Sequence, residues 1–183
     1  MIDRLSPYLG QMIAIGIALA LGAVVILTVN ESPWKVFVTL LDGAFGNPER
    51  IAGTLLQTTP ILVCGIAACI SLRGGLFNIG IEGQLFVGGF AATWVGFSFA
   101  MPHALHVLVG LGFAALMGMA WIAIPAFFRA RYNTNEVVST ILANYVAVLA
   151  TSYLTINVFK RAGGAPDTPP ILESAYLPQI FSY

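Results

Sequence analysis

Arg73-Gly74-Gly75-Leu76-Phe77-Asn78-Ile79-Gly80-Ile81-Glu82-Gly83-Gln84 interrupts an apolar chain with four glycines, two amides and a carboxylate. Each glycine inside a helix costs about 1 kcal/mol relative to alanine, so a continuous helix is not expected across this stretch. If a helix starts at Leu76, a rise of about 1.5 Å per residue puts Glu82 roughly 9 Å inside it. A carboxylate at bilayer depth costs about 2.5–3.5 kcal/mol and must face protein or water with a partner. Asn78, one turn earlier, would share its face at i, i+4. The plainer alternative keeps Glu82 near the headgroups, paired with Arg73. Glycine-interrupted polar backbone at membrane depth survives only when buried in protein or lining an aqueous cavity.

Outward from this stretch the chain reads as lipid-soluble. Of its 183 residues 58% are hydrophobic and 9% charged, against about 25% charged in an average soluble domain. A soluble core of this length cannot hide so much apolar surface. Eight basic and eight acidic residues cancel, so no charge imbalance points to nucleic acid. Five apolar runs follow one another: Leu9–Val29, Ile51–Ile70, Leu76–Ala100, Ala104–Phe127 and Val137–Phe159. The first is about 20 residues, too long for a signal-peptide core of about 7–15, and no small-x-small cleavage site follows it. The expected fold is an all-α polytopic transmembrane bundle of about five spans with a broken, glycine-rich third, forming one domain over residues 1–183.

Between spans, Pro33 to Leu41 reads as an interfacial amphipathic helix with Pro33 at its N-terminus. Ala14, Ala18 and Gly22 in the first span, and Gly110, Ala114 and Gly118 in the fourth, recur every four residues and predict close helix packing. The tail from Arg161, with Gly163-Gly164-Ala165-Pro166, Pro169-Pro170 and Pro178, predicts an extended loop. With the N-terminus inside, Arg4, Arg73, Arg129 and Arg131 lie on one side and Lys35, Arg50, Lys160 and Arg161 on the other. The positive-inside rule gives a tie.

The fifth span carries Thr140, Asn144, Thr151 and Thr155 on one helical stripe. Such a stripe avoids lipid; it either glues helices by hydrogen bonds or lines a path. Asn135 or Thr134 is suited to cap this helix, with Glu136 favourable against its dipole. Arg129 and Arg131 read as a flank anchored to headgroups. His103 and His106 lack the further ligands a metal needs and read as an interfacial pair. Cys64 and Cys69, five apart, point to different faces and predict neither a disulfide nor a metal pair. No Walker A sequence, Gly-x-Ser-x-Gly elbow or His-Glu-x-x-His is present, so neither nucleotide binding nor hydrolysis by this chain is expected.

Three blocks add a resemblance. Gly75–Gln84 resembles a motif of ABC importer permeases that serve simple sugars, nucleosides and, more distantly, branched-chain amino acids. Tyr132–Tyr145 resembles a second block of the nucleoside and sugar branch, and Gly164–Ile171 is similar to the extracytoplasmic loop that follows it there. The resemblance implies a permease subunit of an ATP-driven importer in a bacterial inner membrane, N-terminus in the cytoplasm, carrying a nucleoside or simple sugar. It implies a second permease subunit, cytoplasmic ATP-binding subunits that hold ATP and Mg, and an extracytoplasmic substrate-binding lipoprotein, with no cofactor on this chain. It places Asn78, Glu82 and Gln84 near the translocation path, and Arg129 and Arg131 where the ATPase docks. On this reading the path also takes in Thr140, Asn144 and Thr151. Family members are longer, so the chain is expected to be an N-terminal half that stops at Phe181-Ser182-Tyr183, where a further span begins. Two alternatives are a non-transporting scaffold or relic fragment, whose polar groups all satisfy one another, and a membrane-embedded transferase using Glu82, Glu136 or the histidines.

Overall fold

The computed structural model describes residues 2–161, 163 and 165–177, with side chains from residue 9 onward. Gly164, Pro178 and Phe181–Tyr183, which figure in the reading of the tail and of the chain's end, lie outside the described residues, as does the side chain of Arg4. Six α-helices follow in order: α1 Ile2–Thr28, α2 Pro33–Phe45, α3 Pro48–Arg73, α4 Ile81–Ser98, α5 His103–Tyr132 and α6 Glu136–Tyr153. A π turn, Leu154–Val158, prolongs α6, and a 3-10 turn spans Glu173–Ala175. The all-α, multi-spanning class is as expected. Among the described residues four helices are long and apolar enough to cross a membrane: Leu9–Thr28, Pro48–Arg73, His103–Tyr132 and Glu136–Val158.

The expected third span needs correction. It begins at Ile81, five residues after Leu76, and its 18 residues reach about 27 Å, short of a hydrocarbon core of about 30 Å. Glu82 and Gln84 occupy its first turn.

The chain divides into two compact units, Met1–Thr59 and Pro60–Tyr183. In the first, Pro33 opens α2 at the position where a missing N–H costs nothing. Arg50 closes this unit by pairing with the Asp42 carboxylate and donating to the Asp42 carbonyl at 2.9 Å. Thr54 adds a bond to the Ala44 carbonyl at 2.9 Å. The small-residue stripe of α1 is not used as expected, since Ala14 and Ala18 stay exposed and a Cβ on Gly22 would meet nothing within 4 Å.

In the second unit α4 is the central element, buried through Gly83, Val87, Gly88, Ala91, Val95 and Gly96. These recur at three- and four-residue spacing, so one face of the helix is almost without side chains and neighbours come close. A Cβ on Gly88 would stand 3.0 Å from the Ala114 carbonyl of α5. The second small-residue stripe is therefore used at Ala114 and at Gly118, which faces the Gln84 backbone, but Gly110 lies open. Trp121 of α5 ties to α6 by donating to the Ala143 carbonyl at 3.3 Å.

The tail is extended as expected, yet it is pinned. Leu172 N–H donates to the Gly96 carbonyl at 2.9 Å. His106, 1% exposed, places Nε2 3.2 Å from the Val95 carbonyl and Nδ1 2.8 Å from Ser174 Oγ. The neutral ring satisfies both when Nε2–H donates and Nδ1 accepts. His103 Nδ1 sits 3.1 Å from the Ser174 carbonyl. The histidine pair thus clamps the 3-10 turn onto α5.

Neighbouring glycines give a contrasting prediction. Gly88→Ala is expected to lower thermal stability in detergent by about 1–3 kcal/mol through overpacking. Gly89→Ala, whose Cβ meets nothing within 4 Å, is expected to leave stability equal or higher by helix propensity. Equal melting shifts for both would contradict this packing.

Candidate functional site

Helix α3 ends because Gly75 takes φ +74°, a left-handed conformation that favours glycine. Leu76 N–H then donates to the Ser71 carbonyl at 3.0 Å and Gly75 N–H to the Leu72 carbonyl at 3.1 Å. That pairing is a Schellman cap. From Leu76 to Ile79 the backbone belongs to no helix or strand, and it re-enters a helix at Ile81. Its N–H and C=O groups have no helix to satisfy them, a heavy penalty in an apolar setting.

Helix α6 supplies the missing partners. Phe77 N–H donates to Glu136 Oε1 at 3.0 Å, and Ile79 N–H donates to Thr140 Oγ1 at 3.2 Å. Asn144 does two things: its Oδ1 accepts from Gly83 N–H at 2.8 Å, and its Nδ2 donates to the Ile79 carbonyl at 2.8 Å. Thr140 keeps its own proton on the Glu136 carbonyl at 2.7 Å, which leaves its lone pairs for Ile79. The two repeats match physically. Four residues of helix rise about 6 Å, and two residues of extended chain advance about 6.6 Å. Rungs at 136 and 140 therefore meet 77 and 79.

Glycine at 83 follows from this contact, because a Cβ there would lie 2.8 Å from Asn144 Oδ1 and 3.1 Å from its Cα. Asn78 folds back so that its Oδ1 accepts Gly80 N–H at 2.8 Å, an Asx turn that leads into α4. At the other end of the ladder Asn135 caps α6 by accepting from Val137 N–H at 3.0 Å and Val138 N–H at 3.3 Å. Asn133 closes α5 in the left-handed conformation at φ 52°.

A cavity of about 340 Å³ lies against the ladder, lined by Ser71, Asn78, Gln84, Arg129, Glu136 and Thr140 among others. Gln84 Nε2 is buried without a partner in the described chain. Arg129 Nε stands 3.2 Å from Glu136 Oε2, close enough for charge pairing, although that oxygen accepts no aligned hydrogen bond. Arg129 Nη1 also donates to Asn133 Oδ1 at 2.9 Å and the Thr134 carbonyl at 3.3 Å.

The residues singled out from sequence fall into distinct places. Asn78, Gln84 and Thr140 share the cavity, and Asn144 lies just beyond it on the ladder. Glu82 is exposed on α4 and, among the described residues, pairs with neither Arg73 nor any other group. Asn78 stands outside the helix, so the expected i, i+4 face shared with Glu82 does not form. Thr151 lies further along α6 and donates to the Ala147 carbonyl at 2.8 Å. Both arginines are exposed: Arg129 is held by Glu136, Asn133 and Thr134, and Arg131 lies over the Tyr132 ring at 5.6 Å. Glu136, read from sequence as a dipole partner and as a candidate of the transferase alternative, holds the first rung of the ladder. No group of three or more metal-ligating side chains occurs among the described residues.

The comparisons with known proteins agree with one another. The family model described as branched-chain amino acid transport system / permease component matches residues 50–182. The guanosine ABC transporter permease protein NupP of Bacillus subtilis (strain 168) is 39% identical over all of this chain and 53% of its own length. The glucose ABC transporter permease protein TsgB13 of Haloferax volcanii is 35% identical over 89% of this chain and 43% of its own. The nucleoside ABC transporter permease protein NupB of Lactococcus lactis subsp. cremoris is 30% identical over 87% of this chain and 44% of its own. The chain spans about half the length of the curated relatives it matches. No solved structure matches it.

Asn144→Ala unpairs Gly83 N–H and the Ile79 carbonyl, each at about 1–3 kcal/mol where buried. Faster hydrogen exchange at Ile79–Gly83 and a lower melting temperature are expected, with Thr140→Ser near wild type because it keeps the acceptor. Unchanged exchange in Asn144→Ala would mean that the ladder does not hold the segment.

Proposed function

The chain belongs to the branched-chain amino acid transport system / permease component family, and from that premise we propose that it is a permease subunit of an ATP-driven importer for a nucleoside or simple sugar. One observation carries the reading: a segment outside any helix or strand sits between two apolar helices, with its backbone served by side chains of a third. Broken helices of this kind let transporters expose backbone groups and helix ends to a solute at membrane depth. In this reading Asn78, Gln84, Thr140 and Asn144 build one stage of the translocation path, and Thr151 a later one. Glu82 adds the carboxylate, since an ionisable group without a structural partner in a membrane helix is a functional group by default.

ATP and Mg belong to cytoplasmic ATP-binding subunits, and no cofactor sits on this chain. A second permease subunit completes the pore, and an extracytoplasmic binding lipoprotein delivers the solute. Arg131, exposed beside the α5 terminus, is the basic group best placed to meet the ATPase. The relatives' names, guanosine, glucose and nucleoside permeases, favour these solutes over an amino acid. The scaffold alternative requires polar groups that satisfy one another, and Glu82 and Gln84 Nε2 do not fit it. The transferase alternative lacks a free pair, with Glu136 engaged by Phe77 and Arg129 and both histidines on Ser174.

The test is uptake by the complete transporter, with its ATP-binding subunits, in proteoliposomes. ATP-dependent accumulation of labelled guanosine or glucose is expected, and Glu82→Ala is expected to lower it at least about tenfold with complex yield unchanged, a loss of roughly 1.4 kcal/mol or more. An intact complex that accumulates neither solute would end the proposal; normal uptake by Glu82→Ala would remove Glu82 from it. The N-terminus is placed in the cytoplasm. A cysteine substituted for Glu31, in a Cys64→Ala, Cys69→Ala background, should react with an impermeant maleimide from outside intact cells, and reaction only after lysis would reverse the topology.

A further inference from the structure

Further along α4 and α6 than the ladder, a groove of about 520 Å³ opens between the two helices and is roofed by Pro166, Asp167 and Thr168. Its size lies within the range of about 300–1,000 Å³ usual for small-molecule sites. The α4 wall presents Phe86 and Phe90 one turn apart, with Gly89 between them; a Cβ on Gly89 would meet nothing within 4 Å, so the wall there is open. The opposite wall presents Thr151, Ser152 and Thr155, where α6 widens into its π turn. Such turns are rare and concentrate at functional sites.

Three threonine hydroxyls and a carboxylate give the groove an excess of acceptors. Thr93 donates its proton to the Gly89 carbonyl at 2.9 Å, Thr151 to Ala147 at 2.8 Å and Thr155 to Thr151 at 2.8 Å. With their protons committed to their own helices, these three hydroxyls offer only lone pairs, while the Ser152 and Thr168 hydroxyls beside them keep a proton to give. Asp167 adds a carboxylate whose Oδ2 lies 3.6 Å from Arg161 Nη2, a loose and half-exposed pair. No lysine, arginine or histidine lines the groove. A ligand carboxylate would meet the Asp167 carboxylate and no positively charged side chain among the lining residues, with little to offset its lost hydration. A neutral ligand rich in O–H and N–H donors, with a flat face for two phenyl rings, meets both walls.

We infer that this groove is a binding subsite for a nucleoside, with its base on Phe86 and Phe90 and its hydroxyl and amino groups donating to Thr93, Thr151, Thr155 and Asp167. The inference rests on the transport reading above and adds to it the residues that read the solute. A hexose shares the donors but lacks the planar ring that the paired phenylalanines serve.

Two measurements on the complete transporter test the groove: nucleoside affinity by calorimetry in nanodiscs, and initial uptake rates in proteoliposomes. Thr155→Val and Phe86→Leu are each expected to raise both Kd and KM about tenfold while complex yield and maximal rate hold. Thr155→Ser, which keeps the acceptor, should restore wild-type values. A 2′,3′-dideoxynucleoside should bind the wild type more weakly than its parent, and excess leucine should not compete. Nucleoside uptake with Kd and KM within twofold of wild type in both variants would sink the groove and leave the transport reading standing. Variant-sensitive nucleoside binding without uptake would keep the groove and sink the transport reading. Displacement by glucose but by no nucleoside would overturn the nucleoside assignment.

Discussion

The second unit depends on one constraint: the backbone of Leu76–Ile79 leaves the helical ladder where water is scarce, so its polar groups need partners from elsewhere. Helix α6 meets that need with three side chains one turn apart, Glu136, Thr140 and Asn144. A hydrogen bond across membrane helices contributes on the order of 0.6–2 kcal/mol, so no rung is decisive alone. What matters is the cost of leaving them unmade, because buried groups without partners lose their full solvation.

The rest of the packing follows from satisfying that backbone. To bring Asn144 within 2.8 Å of Gly83 N–H, α4 must approach α6 where it has no side chain. The same closeness recurs against α5 at Gly88. A short helix with an almost bare face is thus held between two long ones, and its apolar bulk goes elsewhere. Trp94 stacks edge-on with Phe99 at 5.3 Å, and Phe159 bridges Phe90 and Phe97 at 5.9 and 5.7 Å. Polar bonds fix one end of α4 and aromatic contacts the other.

The helical class and five apolar runs were legible in the sequence because hydropathy is a local property. So were Pro33 at a helix start, Asn135 as a cap, and the polar stripe on the fifth span. What the stripe serves was not legible, since its partners lie about sixty residues away and a one-dimensional pattern does not pair segments. The weight placed on Glu82 over Glu136 came from counting helix depth from Leu76. Once the helix starts at Ile81, Glu82 sits in its first turn on the exposed face. What the histidines hold was not legible for the same reason as the stripe: Ser174 is 68 residues from His106.

The two ends of α4 also differ in how they respond to force. At the ladder, three hydrogen bonds join the Leu76–Ile79 backbone to α6 and a fourth joins the first turn of α4 to it. At the far end the loop roofing the groove is tied to three elements: to the chain beyond α6 through Arg161 and Asp167, to α4 through Leu172 and Gly96, and to α5 through Ser174 and the two histidines. A small shift of α5 past α4 therefore displaces Ser174 relative to Leu172, two residues away, and strains the loop between Asp167 and Ser174. The ladder's bonds all come from one helix, whereas the ties at the groove end are shared among α4, α5 and the chain beyond α6.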